Sequence, residues 1–207
     1  MEKTLDPSEI EAKKSQLIYT ARRNFKQKLQ TNNGGNLSIR LSSIPALIIK
    51  PSGIGFNECS MDNLMMVDLN GNIIDGYLKP SKDLDFHLDL YKVRPDINAI
   101  VHCHSPWATS CATAGEEIPC LTVQTKEKLG RIPLIPLSKN GGPQTSEEIS
   151  PVLSDKSLNA AILANHGSIG LGKTLMTAQY VAELIEETAH IFCMKNSLIS
   201  SNKKSPE

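Results

Sequence analysis

Apolar residues recur every three or four positions in four segments of the chain, a spacing that predicts amphipathic helices. The four segments are residues 8–30, 81–94, 106–114 and a last segment that begins after Thr174. Each begins at a residue whose side-chain oxygen can cap free backbone amides. These predicted N-caps are Ser8 (with Glu11), Ser81, Ser105 and Thr174. Shorter helices are expected to start at Ser60 and Thr145.

Short apolar runs bounded by turn residues predict eight β-strands. They cover residues 37–41, 46–50, 66–69, 72–75, 99–104, 132–137, 160–164 and 168–171. Asn70-Gly71 is expected to join the third and fourth strands as a tight hairpin, and residues 138–144 are expected to form a loop. Residues 1–199 therefore constitute one predicted domain, and the polar tail 200–207 is predicted to be disordered.

Composition and charge narrow the class of protein. The 207 residues suffice for one full-sized core. Lys plus Arg equals Asp plus Glu at 22 each, which argues against a nucleic acid or an anionic membrane as the main partner. Five cysteines without framework spacing suggest reduced thiols in a cytoplasmic protein. A charged N-terminus predicts no signal peptide, and no apolar run is long enough to predict a membrane span.

Three histidines follow predicted strands and suggest a metal site. His102 and His104 fall on one face of the strand 99–104, because side chains alternate along a strand. Cys103 points the other way and is expected in the core. Two histidines on a wet strand edge would explain this pair alone, but His166 also ends an apolar strand. Three imidazoles with an open position are typical of catalytic zinc, although manganese, iron or cobalt suit the same ligands.

Polar, glycine-containing turns lie beside these strands and suggest an anion site. The segments 31–36 and 50–55 each contain glycines, whose backbone amides can approach a phosphate closely. An ordinary C-cap and turn would explain the first segment equally well. Asp83 supplies a carboxylate that can carry a proton. His87 lies on an apolar stripe and is predicted to be a hydrogen-bonded core histidine. Together these features indicate proton or C–C chemistry next to the carbonyl of a sugar phosphate.

Five motifs in order give the chain a resemblance to the class II aldolase/adducin family. They are Gly35-Asn36-Leu37-Ser38, Lys50-Pro51-Ser52-Gly53, Lys79-Pro80-Ser81-Lys82-Asp83, His102-Cys103-His104-Ser105 and Asn165-His166-Gly167. The resemblance implies an α/β fold, with three layers (α/β/α) around a mainly antiparallel central sheet. It also implies a homotetramer with active sites at subunit interfaces.

The resemblance also implies roles for individual residues. A zinc ion would be held by His102, His104 and His166, and Asp83 would occupy the position of the acid/base carboxylate. The substrate phosphate would be surrounded by the turn residues Gly35, Asn36, Ser52, Gly53 and Ser81, with Lys82 as a further candidate contact for a phosphate or a substrate carboxylate.

The chain departs from the aldolases of that family at several positions. Their carboxylate is usually glutamate, whereas Asp83 matches the epimerase of the family. Lys82 replaces a second serine, and no tyrosine follows Tyr180 to match the one in the aldolases' C-terminal tail. Lys126-Glu127 falls near the segment where the epimerase carries an aspartate. The group that protonates the second product is therefore not identified from the sequence.

The leading hypothesis from the sequence is a zinc-dependent aldolase. It would cleave a phosphorylated ketose of the L-fuculose 1-phosphate type to dihydroxyacetone phosphate and an aldehyde through a metal-stabilised enediolate. The alternatives are a sugar-phosphate 4-epimerase of the L-ribulose 5-phosphate type and a sugar-acid phosphate decarboxylase. A non-catalytic adducin-like module is disfavoured because it has no need of three histidines.

Overall fold

A computed structural model describes residues 5–138 and 142–202. Within these ranges it contains six α-helices, eight strands and a short 3-10 helix at Phe56–Glu58. The helices are α1 (Pro7–Lys26), α2 (Leu84–Val93), α3 (Pro106–Thr113), α4 (Val123–Lys128), α5 (Pro143–Leu153) and α6 (Leu175–Asn202). The strands are β1 (Asn36–Arg40), β2 (Ala46–Ile49), β3 (Met65–Asp68), β4 (Ile73–Asp75), β5 (Ala99–Cys103), β6 (Leu134–Ile135), β7 (Ala160–Leu163) and β8 (Gly167–Gly172).

All eight strands belong to one sheet, in the order β4-β3-β2-β1-β5-β8-β7-β6. Six of the seven neighbouring pairs are antiparallel, and β6 with β7 is parallel. The parallel pair is joined through α5, as a parallel connection requires. The predicted α/β fold with a mainly antiparallel sheet is therefore confirmed, and the sheet is mixed rather than purely antiparallel.

Alternating strand residues contribute to different hydrophobic cores. On β2, Ile48 packs in a core with α1 and α6 residues, whereas Leu47 and Ile49 pack in a second core with α2 and α5 residues. A third core joins α3 and α6 to β7, where Ile162 is fully buried. Side chains alternate between the two faces of the sheet in the same way along β1 and β5, in its middle, and this alternation decides which of them reach the site described below.

The boundaries of helices α1 and α2 differ from the prediction. The N-cap of α1 is Asp6, whose carboxylate accepts from Ser8 N at 2.9 Å, so the predicted Ser8 cap was wrong. The helix ends at Lys26, because Lys28 takes a left-handed φ of 60°. Likewise, α2 begins at Leu84 with Asp83 in the N-cap position. Ser81, the predicted N-cap, lies two residues before Asp83, where its hydroxyl accepts from Asp83 N at 3.3 Å.

Four further predictions of secondary structure needed correction. No helix begins at Ser60, whose amide instead donates to the Asn63 side chain in a turn. Thr145 lies inside α5, which begins after Gly142. The strand predicted at 132–137 is reduced to Leu134–Ile135. Residues 200–202 continue α6, so the predicted disordered tail does not begin at residue 200. Residues 203–207, and residues 139–141 of the predicted loop, lie outside the described residues.

The remaining elements occur where they were predicted, with small changes in their bounds. Thr174 accepts from Thr177 N at 3.1 Å and caps α6 as expected. Ser105 occupies the N-cap of α3, but its hydroxyl makes no capping bond. Helix α4 was not predicted, although Thr122 and Thr125 form its capping box. None of the helices in the described part of the chain is long and apolar enough to cross a membrane.

Candidate metal centre and active site

The structure brings the three predicted histidines together. His102 lies on β5, His104 follows its last residue, and His166 lies in the tight connection between β7 and β8. The Nε2 atom of His102 is 3.3 Å from that of His166 and 3.2 Å from that of His104. All three donor atoms lie within 4.8 Å of one another. Because β5 pairs with β8, a contact between residues 64 positions apart becomes local.

Backbone geometry requires small residues around these rings. Asn165, just before His166, has a left-handed φ of 56°. A Cβ atom on Gly167 would lie 2.4 Å from the carbonyl oxygen of Cys103 and 2.9 Å from the His104 ring. A Cβ atom on Gly34 would also lie 2.9 Å from the His104 ring. Glycine at positions 34 and 167 therefore lets the backbone approach the His104 imidazole from both sides.

The protonation of the histidines suits a cation. Nδ1 of His102 is 2.9 Å from the carbonyl oxygen of Ser168, which can only accept, so Nδ1 carries the proton and Nε2 presents a lone pair. Burial and then the neighbouring imidazoles lower the pKa of His102 well below its usual value. Burial likewise lowers the pKa of His104 to about 4 and that of His166 in the same direction. All three rings are therefore neutral at pH 7.

The donor spacing fits a first-row metal ion. Ligands placed tetrahedrally about 2.0–2.1 Å from one zinc ion lie about 3.3 Å apart. The two Nε2 separations of 3.2 and 3.3 Å agree with that value. Without a cation, the single lone pair of His102 Nε2 could accept a well-aligned hydrogen bond from only one of the two neighbouring imidazoles. The residues present therefore fit the predicted metal, and the donor set does not distinguish zinc from manganese, iron or cobalt.

The candidate catalytic carboxylate lies beside the histidines. Asp83 Oδ2 is 3.8 Å from His102 Nε2 and accepts from Asn36 Nδ2 at 2.7 Å. Its other oxygen, Oδ1, is buried and has no hydrogen-bond partner among the described residues. Asp83 is only 8% exposed. A buried carboxylate oxygen without a donor costs free energy, which is typical of a group that receives a ligand or proton.

The turns of the predicted phosphate site lie side by side. Ser52 donates from its amide to Lys79 O and from its hydroxyl to Pro80 O, both at 3.0 Å. Asn36 Nδ2 lies 3.0 Å from Ser81 Oγ, so the strand β1 joins the same cluster. Gly53 is exposed at the tip of its turn with a φ of 78°.

The last two predicted phosphate-site residues, Gly35 and Lys82, differ in their surroundings. Gly35 has a φ of 57°, and an added Cβ would lie 2.8 Å from the His102 carbonyl oxygen. It therefore allows β1 to begin directly beside β5. Lys82 is exposed, and its carbonyl oxygen accepts from Gly142 N at 3.0 Å.

Two buried polar residues organise the site but were not predicted. The Lys50 ammonium is 1% exposed and donates to the carbonyl oxygens of Asn33 (3.3 Å), Pro51 (3.2 Å) and Ile54 (2.5 Å). Burial lowers its pKa to about 8. Gln30 accepts from the His104 amide at 2.6 Å. The position of Lys50 in a polar turn motif was a signal, whereas Gln30 was assigned to the end of a helix and carried none.

His87 is a core histidine, as predicted. It is fully buried, with Nε2 2.5 Å from Asn36 Oδ1 and Nδ1 2.7 Å from Ser38 Oγ. Both ring nitrogens are thus engaged by protein groups, and burial lowers the pKa of the ring to about 3. Cys103 is also buried in the core, as its strand position predicted.

A family model and several known proteins match most of the chain. The model described as "Class II Aldolase and Adducin N-terminal domain" matches residues 15–193. A 5-deoxy-D-ribulose 1-phosphate aldolase of Bacillus thuringiensis serovar kurstaki is 31% identical over 189 residues, which cover 91% of this chain and 88% of that protein. A 3-oxo-tetronate 4-phosphate decarboxylase of Haemophilus influenzae is 33% identical over 187 residues, 87% of each chain. A solved structure of an L-fuculose 1-phosphate aldolase has a TM-score of 0.84 at 28% identity and covers 95% of this chain and 89% of its own.

Proposed function

The chain belongs to the class II aldolase and adducin family, and on that premise we propose that it is a metal-dependent aldolase. Its substrate would be a phosphorylated ketose of the L-fuculose 1-phosphate type, cleaved to dihydroxyacetone phosphate and an aldehyde. The observation that carries this proposal is the cluster of three neutral imidazoles with the Asp83 carboxylate 3.8 Å from His102 Nε2. A Lewis-acid position next to a proton-carrying group is what a retro-aldol reaction needs.

The residues of the chain divide the reaction between them. His102, His104 and His166 would hold a metal ion, which would supply positive charge to polarise the substrate carbonyl. The bond that breaks joins the α-carbon, next to the carbonyl, to the carbinol carbon beyond it. Its electron pair remains with the phosphorylated fragment. The carbinol hydroxyl gives up one proton and that fragment gains one, so the overall charge is unchanged. Asp83 holds and moves a proton at the carbon of the phosphorylated fragment.

The turn cluster holds the other end of the substrate in this proposal. Ser52, Gly53, Asn36 and Ser81 lie within one group of connected turns, where the Ser52 hydroxyl and the Asn36 amide would exchange a bond to Pro80 O or Ser81 Oγ for one to the phosphate. Phosphate oxygens accept such hydrogen bonds well. The Lys50 ammonium lies behind the Ser52 turn and adds positive charge to its electrostatic environment. Binding the phosphate there places the reacting carbons at a fixed distance from the histidines.

Several broader properties complete the proposal. Zinc is the proposed metal, and residues 1–199 are proposed to form one domain with a three-layer arrangement. The separate cores of α1 with α6 and of α2 with α5 support those layers. A cytoplasmic location is supported by five cysteines that are all free thiols. A homotetramer with interfacial active sites is proposed from the family resemblance, and the exposed apolar residues near the end of α6 (Met194, Leu198 and Ile199) offer a surface for a contact between subunits.

A panel of substrates tests the proposal. Zinc-loaded protein is expected to release dihydroxyacetone phosphate from at least one ketose 1-phosphate, including L-fuculose 1-phosphate, and a chelator is expected to abolish the release. Product is measured by coupling to reduction of dihydroxyacetone phosphate. Asp83→Asn serves as the matched control for contaminating aldolase. Silence of the metal-replete protein across the panel would contradict the aldolase assignment.

Decarboxylation of a sugar-acid phosphate is the second candidate. The 33% identity to a 3-oxo-tetronate 4-phosphate decarboxylase favours it, as does a lysine adjacent to the candidate catalytic carboxylate. Lys82 would hold the substrate carboxylate in that case. Release of carbon dioxide from 3-oxo-tetronate 4-phosphate, lost in Lys82→Ala, would establish this function instead. The epimerase alternative is favoured by Asp83, because the epimerase of the family has aspartate at this position. It predicts interconversion of ketopentose phosphates without release of aldehyde.

A further inference from the structure

A chain of buried hydrogen bonds leads from helix α2 to the candidate catalytic carboxylate. Tyr91 OH lies 2.8 Å from Ser38 Oγ, and Ser38 Oγ lies 2.7 Å from His87 Nδ1. His87 Nε2 lies 2.5 Å from Asn36 Oδ1, and Asn36 Nδ2 lies 2.7 Å from Asp83 Oδ2. The other four members of this chain of bonds, Tyr91, Ser38, His87 and Asn36, are each at most 1% exposed. None of Tyr91, Ser38 and His87 has a role in the reaction described above.

The direction of every bond in this chain follows from its last member. A carboxylate only accepts, so Asn36 must present Nδ2 to Asp83 and Oδ1 to His87. An amide oxygen also only accepts, so His87 must carry its proton on Nε2. Its Nδ1 then has a lone pair and accepts from the Ser38 hydroxyl, whose oxygen in turn accepts from Tyr91. One tautomer of His87 thus corresponds to one orientation of the Asn36 amide.

We propose that His87 is a positioning residue that sets the orientation of the Asn36 amide. This inference rests on the proposed function, in which Asp83 is a carboxylate. With the amide held, Asn36 Nδ2 donates to Asp83 Oδ2 and faces Ser81 Oγ, so one side chain links the proton-carrying group with the phosphate turns. Turned by 180°, the amide would present its oxygen to the carboxylate and repel it.

His87 acts through Asn36 and not as a proton carrier. An amide group does not pass a proton along, so the chain of bonds ends as an acid–base path at Asn36. Burial also lowers the pKa of His87 to about 3, and the ring is neutral at any pH near neutrality. Its contribution is a fixed N–H donor in the core, held in place from behind by Ser38 and Tyr91.

The tautomer of His87 tests the proposal without any assay of activity. Nitrogen-15 NMR of the zinc-loaded full-length chain distinguishes a protonated Nε2 from a protonated Nδ1, and His87→Gln identifies the resonances. We expect the proton on Nε2. A proton on Nδ1 would mean that the chain of bonds runs in the opposite direction and would overturn the proposal. The result does not depend on the substrate, so it separates a failure here from a failure of the proposed function.

Paired variants test how His87 acts. His87→Phe keeps a ring but removes the donor, and kcat/KM for cleavage is expected to fall about tenfold or more with unchanged zinc content. His87→Gln can still donate to Asn36 Oδ1 and is expected to recover most of that loss. If His87 acts through Asn36, adding His87→Phe to Asn36→Ala lowers kcat/KM no further.

A core variant on the same helix serves as the matched control. Leu90→Ala removes a fully buried side chain of α2 that takes no part in the chain of bonds. Its effect on kcat/KM is expected to be the same with or without Asn36→Ala, as independent effects are. The proposal is overturned if the losses of kcat/KM in His87→Phe and Asn36→Ala multiply in the double variant. It is also overturned if His87→Gln folds but recovers none of the kcat/KM lost in His87→Phe.

Discussion

At the scale of single residues, the three histidines differ in how firmly the protein fixes them. His102 has its Nδ1 proton fixed by Ser168 O, and its ring packs edge-on against Phe86 with centroids 5.8 Å apart. His104 is held through its backbone amide by Gln30. His166 Nδ1 is buried and finds no hydrogen-bond partner in the part of the chain that the structure describes. A second partner that orients a ligating imidazole raises metal affinity, so His102 is the anchor of the set.

Removing the anchor should remove the metal. His102→Ala leaves two imidazoles, and we expect its zinc content after desalting to fall from about one to near zero per chain, because two ligands cannot make a catalytic site. Metal analysis of the purified variant measures this. His190→Ala is the matched control, since His190 is exposed and stacks on Trp107. A His102→Ala protein that keeps both zinc and activity would show that the site lies elsewhere.

Asp83 should affect turnover and not metal content. Asp83→Asn preserves shape but cannot take up a proton, so kcat is expected to fall about 100- to 10,000-fold. Zinc content and melting temperature should stay close to those of the unchanged protein. Steady-state kinetics with metal analysis of the same preparation checks both. Wild-type turnover in Asp83→Asn would exclude the carboxylate as the proton carrier.

The neutral, buried His87 should make stability fall in acid. Its pKa is depressed to about 3 in the fold but close to 6.5 in the unfolded chain. The unfolded state therefore binds more protons between these values, and the stabilising contribution is present above about pH 6.5 and lost as the pH falls below it. The slope from this group approaches about 1.4 kcal/mol per pH unit.

Denaturant unfolding between pH 7 and pH 4 measures this contribution. Carboxylates and the other buried histidines titrate in the same range, so His87→Gln is the comparison that isolates one group. The free energy of unfolding of His87→Gln should vary less steeply with pH than that of the parent, both without metal. Identical slopes would mean that His87 is not held neutral by burial.

At the scale of elements, the connection between β7 and β8 leaves little room for substitution. It combines the left-handed Asn165, His166 and a glycine whose missing side chain allows contact with Cys103 and His104. The glycine opens β8, and its partner in the sheet is Leu163. A shift of this hairpin by a few tenths of an ångström would move one of the three histidines relative to the other two.

A single methyl group should disturb that hairpin. In Gly167→Ala the added Cβ would lie 2.4 Å from Cys103 O, so the backbone must move, and zinc affinity is expected to fall about tenfold or more. Competition with a chromogenic chelator measures the affinity. Gly130→Ala is the control, because an added Cβ on Gly130 meets nothing within 4 Å, so the only strain that it introduces comes from the glycine's φ of 66° and not from a contact with the histidines. Equal zinc affinity in the two variants would contradict this explanation.

The elements also reveal where sequence patterns suffice and where they do not. Apolar periodicity located β5, α3 and α6, because their buried faces follow simple spacing. It placed the end of α1 too late, since Leu29 continues the pattern. In the fold Gln30 is instead needed to hold the His104 amide, and tertiary contacts override helix propensity. Helix α4 was not predicted, although Thr122 and Thr125 are suitable capping residues, because a six-residue helix is too short to produce a recognisable apolar spacing.

At the scale of the whole molecule, the order of strands makes the site. Strand β1 lies between β2 and β5, and Asn36 is the direct cross-strand partner of His102. Strand β8 pairs with the other edge of β5 and carries the His166 connection beside it. The sequence predicted the histidines and the turns, but nothing in local spacing specifies strand order. The links through Asn36 and His87 could therefore be recognised only in the folded chain.

The stoichiometry of reactivation by zinc tests the metal-dependent lyase most directly. Chelator-treated protein is titrated with zinc while release of dihydroxyacetone phosphate is followed on the best ketose 1-phosphate. One site built from His102, His104 and His166 predicts activity that rises linearly and stops at one zinc per chain, with no rise in His102→Ala. Full activity of the metal-free protein, or equal reactivation of His102→Ala, would contradict a reaction at the three histidines.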